Sequence, residues 1–176
     1  MNLYLRLLLT WLGMRLKPPI RLGDTIEMTM RVWPGDLDVN GHMNNGRYLT
    51  ITDLIVVEYF GRAGFFRIAR RKGWLPMLGG AMVSFRHALK PFRRYTLRTT
   101  MACWDERWSY FRFEFLQDGK TMAAGHLKGA IIGRSGIVSS TETRAALGSD
   151  PASPAFPGAI SAWIEADRLT RAAMER

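Results

Sequence analysis

Trp33-Pro34-Gly35-Asp36-Leu37-Asp38-Val39-Asn40-Gly41-His42-Met43-Asn44-Asn45-Gly46-Arg47-Tyr48 is the segment on which the reading of this chain turns. Two carboxylates, one imidazole and three amides fall within ten residues, just ahead of a helical pattern. Upstream, Thr25–Val32 alternates, with Ile26, Met28, Met30 and Val32 on one face, which predicts a strand. Downstream, apolar residues crowd nearly the whole helical wheel from Gly46 to about Arg71, with Asp53 and Glu58 the acidic exceptions. That pattern predicts one long, largely buried helix, with Gly61 and Gly64 allowing a bend. A helix N-terminus presents unpaired N–H groups and the positive end of a dipole, both suited to an oxygen that gains negative charge. A carboxylate and a histidine beside it can serve as base, nucleophile or orienting group. On composition alone, Asp36, Asn40 and Asn44 read first as turn and N-cap residues, and His42 as a loop histidine.

Four more strands are expected after the helix, at about 81–89, 93–103, 108–117 and 121–132. Arg94–Arg98 and Phe111–Phe115 alternate most clearly. Asp118-Gly119 is a two-residue hairpin signal joining the last two, and Trp104-Asp105-Glu106-Arg107 reads as the preceding turn. One strand, one buried helix and four antiparallel strands imply an α+β domain with a five-stranded sheet curved around a central helix. His87 shares a strand face with Val83, Phe85 and Leu89 in this register and reads as a core histidine. His126 has no evident partner.

At 176 residues the chain has room for one domain with short arms. Residues 1–23 form an apolar, basic N-terminal arm, 24–137 the body, and 138–176 a linker with a C-terminal helix. In the arm, 1–16 is too short to span a bilayer. It suits either a helix packed on the body or a surface helix with Arg6, Arg15 and Lys17 on lipid phosphates. Nothing in it resembles a cleavable signal peptide. The single cysteine, Cys103, excludes an intrachain disulfide and any multi-cysteine metal site. The expected setting is cytoplasmic, with peripheral membrane contact through the arm.

The net charge is +10, from 25 basic and 15 acidic residues. No acidic residue lies between Glu58 and Asp105, a gap holding ten arginines and lysines. Such a field favours anionic ligands: phosphorylated molecules, an acidic protein or an anionic membrane. Nucleic acid is not expected, because no aromatic–basic module accompanies the charge.

The order Asp-Leu-Asp-x-Asn-x-His-x-Asn-Asn-x-x-Tyr, over Asp36–Tyr48, resembles the motif of hotdog-fold thioesterases. It is most similar to the plant acyl-carrier-protein thioesterases and the "thioesterase superfamily member" proteins, over about Asp24–Gly133. The resemblance implies a hotdog fold, commonly paired across sheet edges into a homodimer or homotetramer, and hydrolysis of an acyl-CoA or acyl carrier protein thioester. By position Asp38 matches the superfamily's base or nucleophile, and Asn40 and His42 match further polar residues of the plant enzymes. Backbone N–H groups around Asn44, Asn45 and Gly46 would then hold the oxyanion, while Arg93 and Arg94, within the basic block, would meet phosphates or an acidic carrier. Asp36 is expected to be a structural turn carboxylate. The chain departs from the pattern at Asn45, where some bacterial members carry histidine, and at Ala88, where the plant enzymes carry glutamate. A non-catalytic acyl-binding protein at a membrane surface is the alternative.

Overall fold

The alternating segments form β1 (Thr25–Arg31), β2 (Leu75–Phe85), β3 (Arg94–Trp104), β4 (Ser109–Gln117) and β5 (Lys120–Gly133). In the computed structural model, which describes residues 3–150 and 152–174, these strands make one antiparallel sheet in the order β1-β3-β4-β5-β2. A sixth short strand beyond the expected five, β6 (Gly136–Val138), pairs with the end of β5. The first two residues of the expected arm, Pro151 of the linker and the last two residues of the C-terminal segment lie outside the described residues.

The sheet curls around helix α2 (Asn45–Arg62). Inward-facing residues two apart, Tyr95, Leu97 and Met101 on β3 and Phe111, Phe113 and Phe115 on β4, pack against Tyr48, Ile51, Ile55 and Tyr59 of α2. The expected single long helix is instead two. Gly64, at φ +79°, takes a left-handed conformation that ends α2, and α3 (Phe65–Lys72) leaves in a new direction. Asp118 and Gly119 both have positive φ, as a two-residue hairpin turn requires. Asp105 organises the preceding turn by accepting from the N–H groups of Arg107 (2.8 Å) and Trp108 (2.6 Å) and from the Tyr110 hydroxyl (2.9 Å).

The sequence places the second strand about six residues too late. Pro76 and Gly79-Gly80 read as loop, yet β2 is an edge strand, where a missing N–H is tolerated. A register shift between Leu78 and Gly80 accommodates the glycines, and a Cβ at Gly79 would collide with the Trp108 ring. The strand therefore ends at Phe85. His87 lies beyond it, exposed in a loop rather than facing the core.

Helices close both faces. α5 (Gly158–Met174) lies on the outer face, where Ile160 and Trp163 cluster with Cys103, Trp108 and Tyr110, and Asp167 pairs with the buried Lys128. Its predecessor α4 (Ser140–Ala146) falls inside the stretch expected to be linker. Ser139 caps α4 by accepting from the Glu142 N–H at 3.1 Å.

The N-terminal helix α1 (Leu3–Gly13) packs on α2. Arg6, expected at a lipid surface, instead points inward and is 4% exposed. Its guanidinium meets the Asp36 carboxylate at 2.5 Å. Lys17 likewise turns inward to the buried Glu58 at 2.8 Å, which also takes Arg62 at 3.0 Å. Removing one partner of a buried pair strands the other charge, at about 3–5 kcal/mol. Arg6→Met should therefore lower unfolding stability by an amount in that range in urea titrations, and adding Asp36→Asn should restore much of it. A single variant within about 1 kcal/mol of the parent, the scale of an exposed pair, would show that this pair carries little.

Candidate active site

Asp36 is the floor of the Trp33–Tyr48 segment. Besides Arg6, its carboxylate accepts from the Trp33 N–H at 2.9 Å, and its backbone carbonyl accepts from the Asn44 N–H at 2.8 Å. Above this floor the chain makes a small hairpin. Leu37 bridges Met43, the Asp38 N–H reaches the His42 carbonyl at 2.9 Å, and Gly41 turns the tip at φ +75°.

Asp38 stands at this tip with its side chain 21% exposed. One carboxylate oxygen accepts from the Asn40 N–H at 2.9 Å, and the same oxygen lies 3.6 Å from His42 Nδ1. The hairpin thus gathers Asp38, Asn40 and His42. Asn40 contributes its backbone N–H to this carboxylate.

Asn44 is the N-cap of α2, and its side-chain oxygen accepts from the Gly46 N–H at 2.9 Å. This corrects the expectation that Asn44, Asn45 and Gly46 all offer N–H groups to a ligand. The Asn44 and Gly46 donors are taken within the chain. Among the described residues, the Asn45 N–H is the one of the three with no acceptor. Arg93 lies beside the start of the segment rather than at the hairpin tip: its carbonyl accepts from the Val32 N–H at 3.1 Å, and it lines a groove with His87, Ala88 and Lys90. Arg93 makes an exposed ion pair with Asp118 at 3.3 Å, and Arg94 opens β3 opposite Arg31. The segment His87-Ala88-Leu89 does lie beside the hairpin, since the Leu89 carbonyl accepts from the Met43 N–H at 2.9 Å.

A second feature was not foreseen. An apolar cavity of about 260 Å³ runs between α2, α3, α4 and the β2–β5–β4 part of the sheet. Val56, Val57 and Phe60 of α2 line it together with Phe66, Leu127 and Ile131. Two charged residues join them, Asp53 and Arg144. Asp53 precedes Val56, Val57 and Phe60 at the i, i+3, i+4, i+7 spacing of one helix face. Its signal in the sequence was its place as one of two acidic residues on an otherwise apolar helix. Glu58, the other, is ion-paired, whereas Asp53 has no ion-pair partner among the described residues. For Arg144 the signal was the Ser139-x-x-Glu142 capping pattern of α4. Cys103 is no nucleophile here, since burial, helped by Asp105, pushes its thiol up to about 11.

A sheet curled about a single helix, with an apolar cavity along that helix and a carboxylate hairpin at its N-terminus, defines a hotdog-fold protein. A family model sharpens this: the thioesterase-like superfamily model matches residues 32–164, and the chain belongs to that superfamily. Protein THEM6 of Xenopus laevis is 31% identical over 138 residues, covering 76% of this chain and 64% of that protein. Thioesterase poxG of Penicillium oxalicum is 26% identical over 107 residues, covering 53% of this chain and 35% of that protein. This chain thus spans just under two thirds of the first relative and about a third of the second. A 1,4-dihydroxy-2-naphthoyl-CoA thioesterase from Synechocystis shares the fold at a TM-score of 0.62 and 12% identity, covering 70% of this chain and 95% of that one.

Partial desolvation by the apolar cavity wall raises the carboxyl of the otherwise exposed Asp53 above the ordinary carboxylate value. The folded state therefore favours its neutral form, and this favourable contribution is lost as pH rises through the raised value. Asp53→Asn should raise Tm at pH 7, and its advantage should shrink as pH falls below about 4, where the unfolded carboxyl is itself protonated. A difference in Tm that stays constant over that range would mean that ionisation of Asp53 does not oppose folding.

Proposed function

We propose that this chain hydrolyses acyl thioesters of coenzyme A or acyl carrier protein, with the acyl chain in the α2 cavity and Asp38 as general base. The observation that carries the reading is the cavity itself: an apolar trough along the central helix of a thioesterase-superfamily fold. Asp38 takes a proton from water as its oxygen attacks the thioester carbonyl carbon. The tetrahedral oxyanion is held by the Asn45 N–H, a donor worth about 3 kcal/mol when well placed. Collapse breaks the C–S bond, and the proton on Asp38 passes to the departing thiolate. The Asn40 N–H fixes the carboxylate, and His42 lies at its flank. Exposed Arg67, Arg70 and Arg71 on α3, beside Phe66 of the cavity, would meet the phosphates or the acidic carrier surface. Arg93 and Arg94, beside Asp118 at the other end of β5, lie apart from that surface.

Within one chain the cavity lining does not include Asp38, Asn40 or His42. Edge strand β2 presents Leu75, Met77 and Leu78 more than half exposed, an open apolar edge of the kind that pairs with another chain. The site is therefore completed by a second copy across β2, whose hairpin reaches the first copy's cavity. Asp38→Asn should lower kcat about 100-fold or more with little change in KM, the range of a lost general base. Leu75→Lys, at an edge position outside the cavity lining, should turn a dimer into a monomer by light scattering and remove turnover with it. A fully active monomer, or near-normal kcat in Asp38→Asn, contradicts this assignment. Tight acyl binding by the parent chain without turnover would favour the non-catalytic reading.

The outer face of α1 supports membrane docking, although through residues other than Arg6 and Lys17. Tyr4, Leu5, Leu8, Leu9 and Leu12 are all exposed, and Arg15 stacks on Trp11 at 3.7 Å. We propose that this face lies on anionic lipid. Among the described residues no helix is long and apolar enough to cross a membrane. Full-length protein should sediment with anionic liposomes, and Leu8→Glu with Leu12→Glu should abolish this while Tm holds. Unchanged sedimentation would place the lipid contact elsewhere.

A further inference from the structure

Among the described residues Arg144 is buried more deeply than any other lysine or arginine, at 2% exposure, and it reaches the acyl cavity from α4. Its guanidinium carbon sits 3.2 Å from the centre of the Trp104 ring. Nη2 approaches Met101 Sδ at 3.3 Å and Ser109 Oγ at 3.5 Å. Nε and Nη1 are buried and have no hydrogen-bond partner. Among the described residues no carboxylate pairs with Arg144, whereas the buried Arg6 and Lys128 each hold one. A buried cation facing only an aromatic ring, a thioether and a hydroxyl keeps unspent capacity for an anion. The planar fork of Arg suits a carboxylate. The cavity is otherwise apolar, apart from Asp53, Ser109 and Thr143, and the last two lie with Arg144. Arg144, Ser109 and Thr143 therefore form one polar end of an apolar trough.

We propose that this end makes the cavity selective for acyl groups bearing a carboxylate at their far terminus. Such a substrate is the half-thioester of an α,ω-dicarboxylic acid, its distal carboxylate accepting from Nη1 of Arg144, which has no partner within the chain. The proposal rests on the acyl chain occupying this cavity, as in the function proposed above. A cavity of about 260 Å³ is on the scale of a medium-length acyl chain or a single ring. Arg144 acts on specificity and not on the reacting atoms.

The test compares three coenzyme A thioesters of equal length: an ω-carboxyacyl ester of about six to eight carbons, its ω-methyl ester and the plain n-acyl ester. Hydrolysis is followed as kcat/KM on the full chain. Calorimetric binding to Asp38→Asn protein supplies a second readout that needs no turnover. The free ω-carboxylate should win by about tenfold or more over both others in binding, the scale of one charged hydrogen-bonded contact. Arg144→Met should erase that preference, and Arg144→Lys should retain part of it. Where Arg144→Met does not fold, the acid-against-methyl-ester comparison on protein with Arg144 intact decides the matter alone. A tenfold binding preference without hydrolysis by the parent chain upholds the anion site and overturns the proposed reaction. Equal hydrolysis and equal binding of all three esters upholds the reaction and overturns the anion site.

Discussion

The buried carboxylate of Asp36 is the constraint on which the site depends. A carboxylate with 2% exposure needs a partner, and Arg6 supplies it from a helix thirty residues upstream. Its second role is positional. The Trp33 N–H ends on its side chain and the Asn44 N–H on its backbone carbonyl, so both ends of the hairpin segment are tied to this residue. The Asn44 cap then sets where α2 begins. The N-terminal arm is thereby structural at its inner face, whatever its outer face touches.

The other buried charges follow the same rule until Arg144. Glu58 holds Lys17 and Arg62, and Lys128 holds Asp167. Each ties a peripheral element to the body: the Pro18 approach to α2, and α5 to the sheet. Arg144 ties nothing by charge. Burial alone pulls its guanidinium down to about 10, still charged at neutral pH. Retaining such a cation without a counter-charge opposes folding unless stacking or a ligand offsets it, and the Trp104 ring offers the stacking part.

Much of this was legible in the chain. The period-two runs of β3 and β4, the Asp118-Gly119 turn and the apolar wheel of α2 are local patterns, and they gave the element order of the fold. The hairpin residues Asp38, Asn40 and His42 were picked out by resemblance to the hotdog thioesterase motif, and the chain does bring them side by side. What was missed depended on tertiary context. Pro76 and Gly79-Gly80 contradict strand propensity, and only the edge position and the Trp108 ring make a strand there. Arg6 looks like an interfacial cation until Asp36 is known to be buried. Arg144 sits in a seven-residue helix too short for hydrophobic periodicity to reveal, and its importance comes from Met101, Trp104 and Ser109, some forty residues away. The oxyanion donors were overcounted, because a sequence shows that Asn44 can cap but not which N–H it takes.

The distance between the hairpin and the cavity gives the last step. From Asn45 at the start of α2 to Val57 in the cavity wall is twelve residues, about 18 Å along a helix at 1.5 Å per residue. Within one copy the hairpin and the cavity wall are separate places, and the cavity lining includes no residue of the hairpin. In the pairing proposed across β2, a two-fold axis perpendicular to α2 would run the two helices in opposite directions and set the start of one toward the middle of the other. The apolar edge of β2, an aggregation hazard in a lone chain, is then the feature through which the proposed pairing would join the two halves of the site.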